Sequence, residues 1–444
     1  MRTPNTCSIT RSLPFVVAAM TIACSANDDP RVPAAGSNGA VHENRGDDRG
    51  SEAGDSSTDG TFDDGTRGIV DNGDDDASAD DPASRGASTS ADSDGDGLPD
   101  SVETNSHVFR NKDDTGTDPR NWDTDGDGIS DRDEVLKTAG GLDLFGMGTN
   151  PLHRDILIEY DWFADDNECA YHSHRPTPSA LAMVSATFAQ SPLRNPDGTS
   201  GINIIHDYGQ GGLFDGGNAI ADADGIVDDG VSGNEFANYR AKNFAAKRQR
   251  YFHYALLPHR YTYYDKDGVL RNDSSGQALI RGDALIVSPD CWYYDDHDVA
   301  STIVHELGHN LNLLRGGNTD TNDKPNYNSV MNYKYQFAGI DTNCTPEGDG
   351  VIDYSRKMRL SLDERALDEH SGICAGVAWD WNGNGVIESQ VSLDINGDEV
   401  RGILEDHDDW PAIVLDWHGR SGSLERRDES APEVATCDSR PAGH

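Results

Sequence analysis

Hydrophobic positions along this chain fall into three kinds of run. The first, Leu13 to Ala23, is an unbroken apolar stretch behind Arg2 and Arg11. It is too short to cross a bilayer comfortably and reads as the core of a signal peptide over residues 1–23. The second kind alternates: between Asp155 and Trp162 the residues Ile156, Ile158, Tyr160 and Trp162 fall on one side of an extended chain, which predicts a strand. Further strands are expected at Gly201–Asp207, Tyr251–Tyr261 and Ala278–Ser288. The third kind has helical spacing. Thr177 can cap, and Pro178 can open, a helix lined by Leu181, Val184 and Phe188. Val299, Ile303, Val304, Leu307 and Leu311 mark a longer helix within Asp298–Leu311. A closing helix is expected over Leu360–Glu369. Strand, helix, several strands and a long helix, in that order, predict an α/β (α+β) domain around a mixed sheet.

Between Ser25 and Thr89 there is no period, only Gly, Ser, Ala, Asp and Asn with scattered Arg. Such a stretch cannot bury enough apolar surface to offset chain entropy, so residues 24–90 read as a disordered acidic linker that repels itself and extends. The 444 residues carry 36 Lys+Arg against 79 Asp+Glu, a net charge of −43. That excludes a nucleic-acid or anionic-membrane binder working by bulk charge. Ala23-Cys24-Ser25 resembles a bacterial lipoprotein cleavage box, with Thr21 where Leu is usual. The resemblance implies a lipid on Cys24, the one route to a membrane, and a place at the cell surface; cleavage nearby and free secretion is the alternative. Beyond Cys7 and Cys24, five cysteines suit an oxidising compartment. Cys344 with Cys374 and Cys169 with Cys291 are natural pairs, although spacing does not choose among the possibilities.

Two related segments follow the linker, Asp92-Ser-Asp-Gly-Asp-Gly-Leu-Pro-Asp-Ser-Val-Glu103 and Asp123-Thr-Asp-Gly-Asp-Gly-Ile-Ser-Asp-Arg-Asp-Glu134. Calcium needs six to eight oxygens, and a loop with carboxylates at positions 1, 3 and 5, glycine at 6 and Glu at 12 can converge them. The candidate ligands are Asp92, Asp94, Asp96, Asp100 and Glu103 in one loop and Asp123, Asp125, Asp127, Asp131 and Glu134 in the other, within a repeat region over 91–150. The flanking Gly-Thr-Asp-Pro and Gly-Leu-Pro-Asp wording resembles thrombospondin-type-3-like repeats rather than helix-loop-helix hands.

In the long helix, His305 and His309 stand four apart on one face, able to share a zinc ion, and Glu306 is placed to take a proton from water. Met331 follows in Ser329-Val-Met-Asn-Tyr333. Together these motifs resemble the metzincin clan of zinc metallopeptidases, and in particular secreted prokaryotic members carrying H-E-L-G-H-N-L-G-L-x-H-G-G, a Met-containing turn and a later Asp-Tyr-Ser-Arg, here Asp353 to Arg356. The resemblance implies a metallopeptidase domain over 151–372, a floor under the zinc made by Met331, and Tyr333 near the metal as support for an oxyanion. One departure stands out. The position of the clan's third histidine is Arg315, which has no lone pair to offer a metal, and the clan's glycine is Asn312. Three arrangements stay open: zinc on His305, His309 and a substitute such as Tyr333 or Asp320; a pseudopeptidase without tight zinc; or a histidine brought in from far along the chain.

Other groups are less complete. His172 and His174 can share one face of a strand as a metal pair, or sit in a polar loop. Asp222 to Asp229 is oxygen-rich without the full loop spacing. A C-terminal unit over 373–444 contains a calcium-type loop at Asp380, Asn382, Asn384 and Glu388, a shorter one at Asp394–Asp398, and Trp379, Trp381, Trp410 and Trp417 as a core. The expectation is a secreted or surface-anchored, calcium-stabilised zinc metalloendopeptidase acting on protein or peptide substrates. The alternative is a calcium-ordered binding or adhesion protein on an inactive peptidase scaffold. Oligomeric state is not legible.

Overall fold

The computed structural model describes residues 90–165, 171–222, 224–265, 267–272, 274–289 and 295–416, together with the backbone of 434–436. The expected leader over 1–23, Cys24, the linker up to residue 89, the Cys169–Cys291 pairing and Trp417 lie outside the described residues.

Two short helices, α1 (Asp131–Val135) and α2 (Leu144–Met147), lead into the sheet. Strand β1 (Asp155–Asp165) is followed by β2 (His172–Ser173), helix α3 (Pro178–Ala189), β3 (Asn203–Asp207), β4 (Ala219–Ile220), β5 (Ile226–Val227) and helix α4 (Asn234–Asn243). The chain continues through β6 (Phe252–Leu257), β7 (Arg260–Tyr261), β8 (Tyr263–Tyr264) and β9 (Leu270–Arg271) to the hairpin β10 (Gly276–Leu279) and β11 (Ala284–Val287). Helix α5 (Asp296–Asn310), helix α6 (Tyr333–Gln336), β12 (Leu362–Asp363), β13 (Ile403–Leu404) and β14 (Val434–Thr436) complete it. The main sheet runs β14-β10-β11-β6-β1-β2, with β3 and β4 also pairing β1. β3, β4 and β6 are parallel to β1, and β11 is parallel to β6. β2 runs against β1, and β10 runs against both β11 and β14. This is the mixed α/β arrangement that the order of elements predicts.

The alternation in β1 is real, but both faces are buried. Ile156, Ile158, Tyr160 and Trp162 pack with α3 and α5, while Leu157 and Phe163 join a second cluster with Leu144, Phe236, Tyr254 and Leu256. Glu159 and Asp161, which an alternating pattern assigns to solvent, lie in that second face with no exposure. They survive there because partners are built in: Arg248 pairs with Glu159 and Asp207, and Asp161 accepts from Tyr254 Oη and the Asn218 amide, both at 2.7 Å.

Several expected elements are redrawn. The stretch 251–261 breaks at Pro258, which cannot donate to a ladder, so β6 and β7 are separate. The stretch 278–288 is a hairpin that turns at Arg281, whose φ is +52°. No helix forms over Leu360–Glu369. Asp363 accepts the Arg365 amide in a local turn, and Glu364 and Glu369 spend their carboxylates on distant amides, so the backbone follows those bonds rather than a helical ladder. Leu362 and Leu367 instead join Ile373, Val391 and Leu404 in a small cluster that reaches back across residue 373. Trp410 leaves the C-terminal unit altogether and is fully buried in the main core beside Phe188 and Tyr354. The Cys344–Cys374 disulfide forms, with Cα atoms 5.7 Å apart.

Candidate metal centres

Each acidic loop is wound by its own carboxylates. Asp92 accepts the Gly95 amide at 2.8 Å and Asp123 accepts those of Gly126 and Gly128 at 2.7 and 2.8 Å. Gly97 and Gly128 have φ of +104° and +95°, the left-handed turn that position 6 requires. Three carboxylate groups converge closely: Asp92, Asp94 and Asp96; Asp123, Asp125 and Asp127; and Asp96, Glu103 and Asp131. The last set draws on both loops, and the Arg132 amide donates to Asp96 at 2.9 Å, so the two repeats interlock. Asp100 is a different case, because both its oxygens accept from Ser93; Asp131 makes the same pair of bonds to Thr124.

The second loop is also tied to the sheet. The Asp155 amide, at the start of β1, donates to Asp127 at 2.8 Å. Burial and then the charge of neighbouring carboxylates raise Asp125, Asp127 and Glu134 well above the ordinary range. Burial likewise lifts Asp131 to about 8, Glu103 to about 7, Asp155 to about 7 and Asp96 to about 6. One oxygen each of Asp94, Glu103 and Asp125 is buried with no hydrogen-bond donor. Crowded, desolvated carboxylate oxygens of this kind fit a hard cation. Asp155, which belongs to β1, is not visible from loop spacing and enters only through the fold.

The α5 site is assembled from one helix and two loops. Asp295 caps α5, accepting the His297 and Asp298 amides at 2.9 and 3.0 Å. His305, Glu306 and His309 are fully buried. His305 Nδ1 lies 2.7 Å from the Val330 carbonyl and His309 Nδ1 lies 2.8 Å from the Leu313 carbonyl. A carbonyl only accepts, so each Nδ1 carries the proton and each Nε2 is left with a lone pair. Those two Nε2 atoms face each other at 3.1 Å. Two lone pairs repel unless a cation lies against both, and two imidazoles on tetrahedral zinc hold their nitrogens about 3.3 Å apart. The donor set therefore fits zinc. Burial pushes His305 down to about 3 and His309 well below its ordinary value, with Arg315 adding to both.

Met331 lies beneath the helix: a Cβ on Gly308, between the two histidines, would strike its sulfur. Tyr354 donates to the Val304 carbonyl at 2.6 Å and the Asp353 carboxylate accepts from Trp410 Nε1 at 3.1 Å, which pins the Asp-Tyr-Ser-Arg segment to the same helix and core. After α5, Asn312 takes a φ of +80°, the left-handed conformation that asparagine tolerates, and the chain reverses through a Leu314–Gly317 bridge. Arg315 at the tip donates from Nε to Tyr333 Oη at 2.7 Å, and the Tyr333 ring stacks on His305 with centroids 5.7 Å apart. Asp320 is 4.0 Å from the other side of the guanidinium. Glu306 rests against Gly276 of β10, where any side chain would collide with its carboxylate.

The remaining candidates are placed as follows. Asp222 accepts from the Asp224 and Gly225 amides and from Tyr239, with Glu235 beside it. Asp380 and Asn382 accept amides of their own loop, Asn382 and Asn384 donate to Glu388 at 3.0 and 2.8 Å, and the loop is exposed. Buried Glu369 accepts the Trp381 and Glu388 amides and buried Glu364 accepts those of Ile395 and Gly402, so both C-terminal loops hang from glutamates the loop pattern does not contain. His172 and His174 are buried rather than in a polar loop.

Among the described residues no helix is long and apolar enough to cross a membrane. No curated protein matches the chain. Residues 92–107 and 123–137 match a family described as Bacterial TSP3 repeat, so the chain carries tandem repeats of a calcium-binding type in the two interlocked loops.

Proposed function

We propose that this chain is a zinc metalloendopeptidase of metzincin type, exported to the bacterial cell surface or medium and stabilised by calcium in its tandem repeats. The observation that carries the peptidase reading is the facing pair of His305 and His309 Nε2 lone pairs, each fixed by a carbonyl at Nδ1, with Glu306 beside them and Met331 beneath. His305 and His309 would hold the metal, with the Tyr333 oxygen as the third protein donor. A guanidinium donating to that oxygen stabilises negative charge on it. Zinc there would supply Lewis acidity to a peptide carbonyl and to attacking water. Glu306 takes the proton from that water and returns it to the leaving amine. The absence of water-exposed surface on His305, Glu306 and His309 keeps the local dielectric low and strengthens each of these interactions.

Arg315 favours a second reading. Its fixed positive charge lies beside both imidazoles and opposes a second cation, which supports a pseudopeptidase that keeps the scaffold as a calcium-ordered binding surface. Casein cleavage separates the two. The peptidase reading expects cleavage by the parent that drops by about two orders of magnitude or more in Glu306→Ala at unchanged zinc content. Cleavage equal in both proteins, or absent from a zinc-loaded parent, overturns it.

A further inference from the structure

A second group of nitrogens lies away from α5's histidines. His172 is on β2 and His174 follows it, the two sharing one face with exposed Ser173 between them. The His174 amide donates to the Phe163 carbonyl of β1 at 2.9 Å, which fixes where its ring falls. His259 comes from elsewhere, just past Pro258 at the end of β6, and its carbonyl accepts from Ser288 Oγ at 2.9 Å. Because β6 is the parallel neighbour of β1, the fold delivers all three histidines to the same end of adjacent strands.

The rings meet nitrogen to nitrogen. His174 Nε2 is 2.8 Å from His172 Nε2 and 2.5 Å from His259 Nδ1. Ring centroids are 4.4 to 4.6 Å apart, and relative exposures are 3%, 8% and 0% for His172, His174 and His259. Histidines buried for packing alone turn their carbon faces inward and send their nitrogens to separate donors or acceptors. Here one nitrogen touches two others, and a single proton on it cannot serve both contacts. One cation against all three ligand atoms resolves the conflict.

We propose that His172, His174 and His259 bind one divalent transition-metal ion, a centre separate from both the acidic loops and the His305–His309 pair. Three imidazole nitrogens as ligand atoms select zinc, or cobalt, nickel and copper in its place, over calcium or magnesium. His174 also lines a cavity of about 190 Å³ with Arg175, Thr177, Asp295 and Asp296, which leaves a place for water as the fourth ligand. That cavity lies at the first turn of α5. Neither His305 nor His309 lines it, so the two centres draw on different ligands. The ion clamps the short β2 strand to the β6–β7 turn.

The test uses the full chain in calcium with His305→Ala and His309→Ala, which removes the other nitrogen pair. Stripped of metal and titrated with cobalt(II), this protein is expected to bind about one equivalent with the visible absorption of a four-coordinate ion. Adding His259→Gln is expected to abolish that absorption, and His174→Asn to do the same. Absence of cobalt binding before those changes, or binding that survives them, overturns the proposal. X-ray absorption of the cobalt-loaded protein decides the matter even where the further variants do not fold: three imidazole scatterers support the centre, and an all-oxygen shell contradicts it.

Discussion

At the scale of single residues, Arg315 is the charge beside His305 and His309 that bears most on the proposed zinc. Replacing it with the residue type of the resembling peptidases, Arg315→His, removes a cation next to two imidazoles and adds a nitrogen donor. Zinc affinity measured by competition with a chelating dye is expected to rise about tenfold or more; an unchanged affinity would mean that Arg315 does not stand where the third ligand belongs. Gly308→Ala sets two effects against each other. Alanine gains about 1 kcal/mol of helix propensity, but its Cβ would strike the Met331 sulfur, and overpacking costs about 1 to 3 kcal/mol. The clash wins, so the melting temperature is expected to fall; a rise would show that Met331 is free to move. His206 gives a pH signature. Burial holds it down at about 4, against an ordinary 6.5, between Tyr160 Oη and Ser185 Oγ. The folded chain therefore resists a proton that the unfolded chain accepts, so its contribution is fully present above 6.5 and is lost as pH falls through about 4. Thermal melts of His206→Gln are expected to lose less stability across that window than the parent, and parallel curves would contradict the assignment.

At the scale of elements, legibility follows the range of the interactions involved. Helices α3 and α5 are readable because the Thr177 cap of α3 and the apolar spacing of both are local; the Asp295 cap starts α5 at Asp296, ahead of the expected Asp298. Strand β1 is half readable: its even residues announce a buried face, whereas Glu159 and Asp161 mislead because the partners that let them be buried, Arg248 for Glu159 and Tyr254 and Asn218 for Asp161, are far along the chain. The expected helix at 360–369 fails for the same reason. Glu364 and Glu369 look like helix formers until the amides of Ile395, Gly402, Trp381 and Glu388 claim them. The acidic loops were legible residue by residue but not in their assembly, since Asp155 and the Asp96–Glu103–Asp131 grouping depend on how the two repeats dock. Calcium removal tests that assembly. Because Asp127 receives the first amide of β1, chelation is expected to lower the melting temperature of the whole described fold rather than of the loops alone; the stabilisation lost is about 4 kcal/mol per site at a thousandfold excess of calcium over its dissociation constant. Asp127→Asn is expected to reproduce part of the loss. A melting curve unchanged by chelator at matched ionic strength would contradict a structural role for the ion.

At the scale of the whole molecule, the chain combines two kinds of ligand chemistry. Hard oxygen donors crowd the entry to the sheet, and imidazole nitrogen donors lie at its helix-covered face and at the ends of β1 and β6. The oxygen centres are announced by tandem spacing because their ligands are close in sequence. The His305–His309 pair is announced by one helical turn, but Tyr333 and Arg315 take their places only once the loops fold back on α5. The disulfide Cys344–Cys374 was one choice among several until the fold brought the two residues together. The peptidase account rests on zinc at His305 and His309, and metal content measures that directly. Zinc per chain should be determined by elemental analysis in the parent and in His305→Ala/His309→Ala, both saturated with calcium and washed free of loosely held metal. The account predicts that the variant carries about one zinc fewer than the parent while melting cooperatively; equal zinc in the two proteins would contradict it.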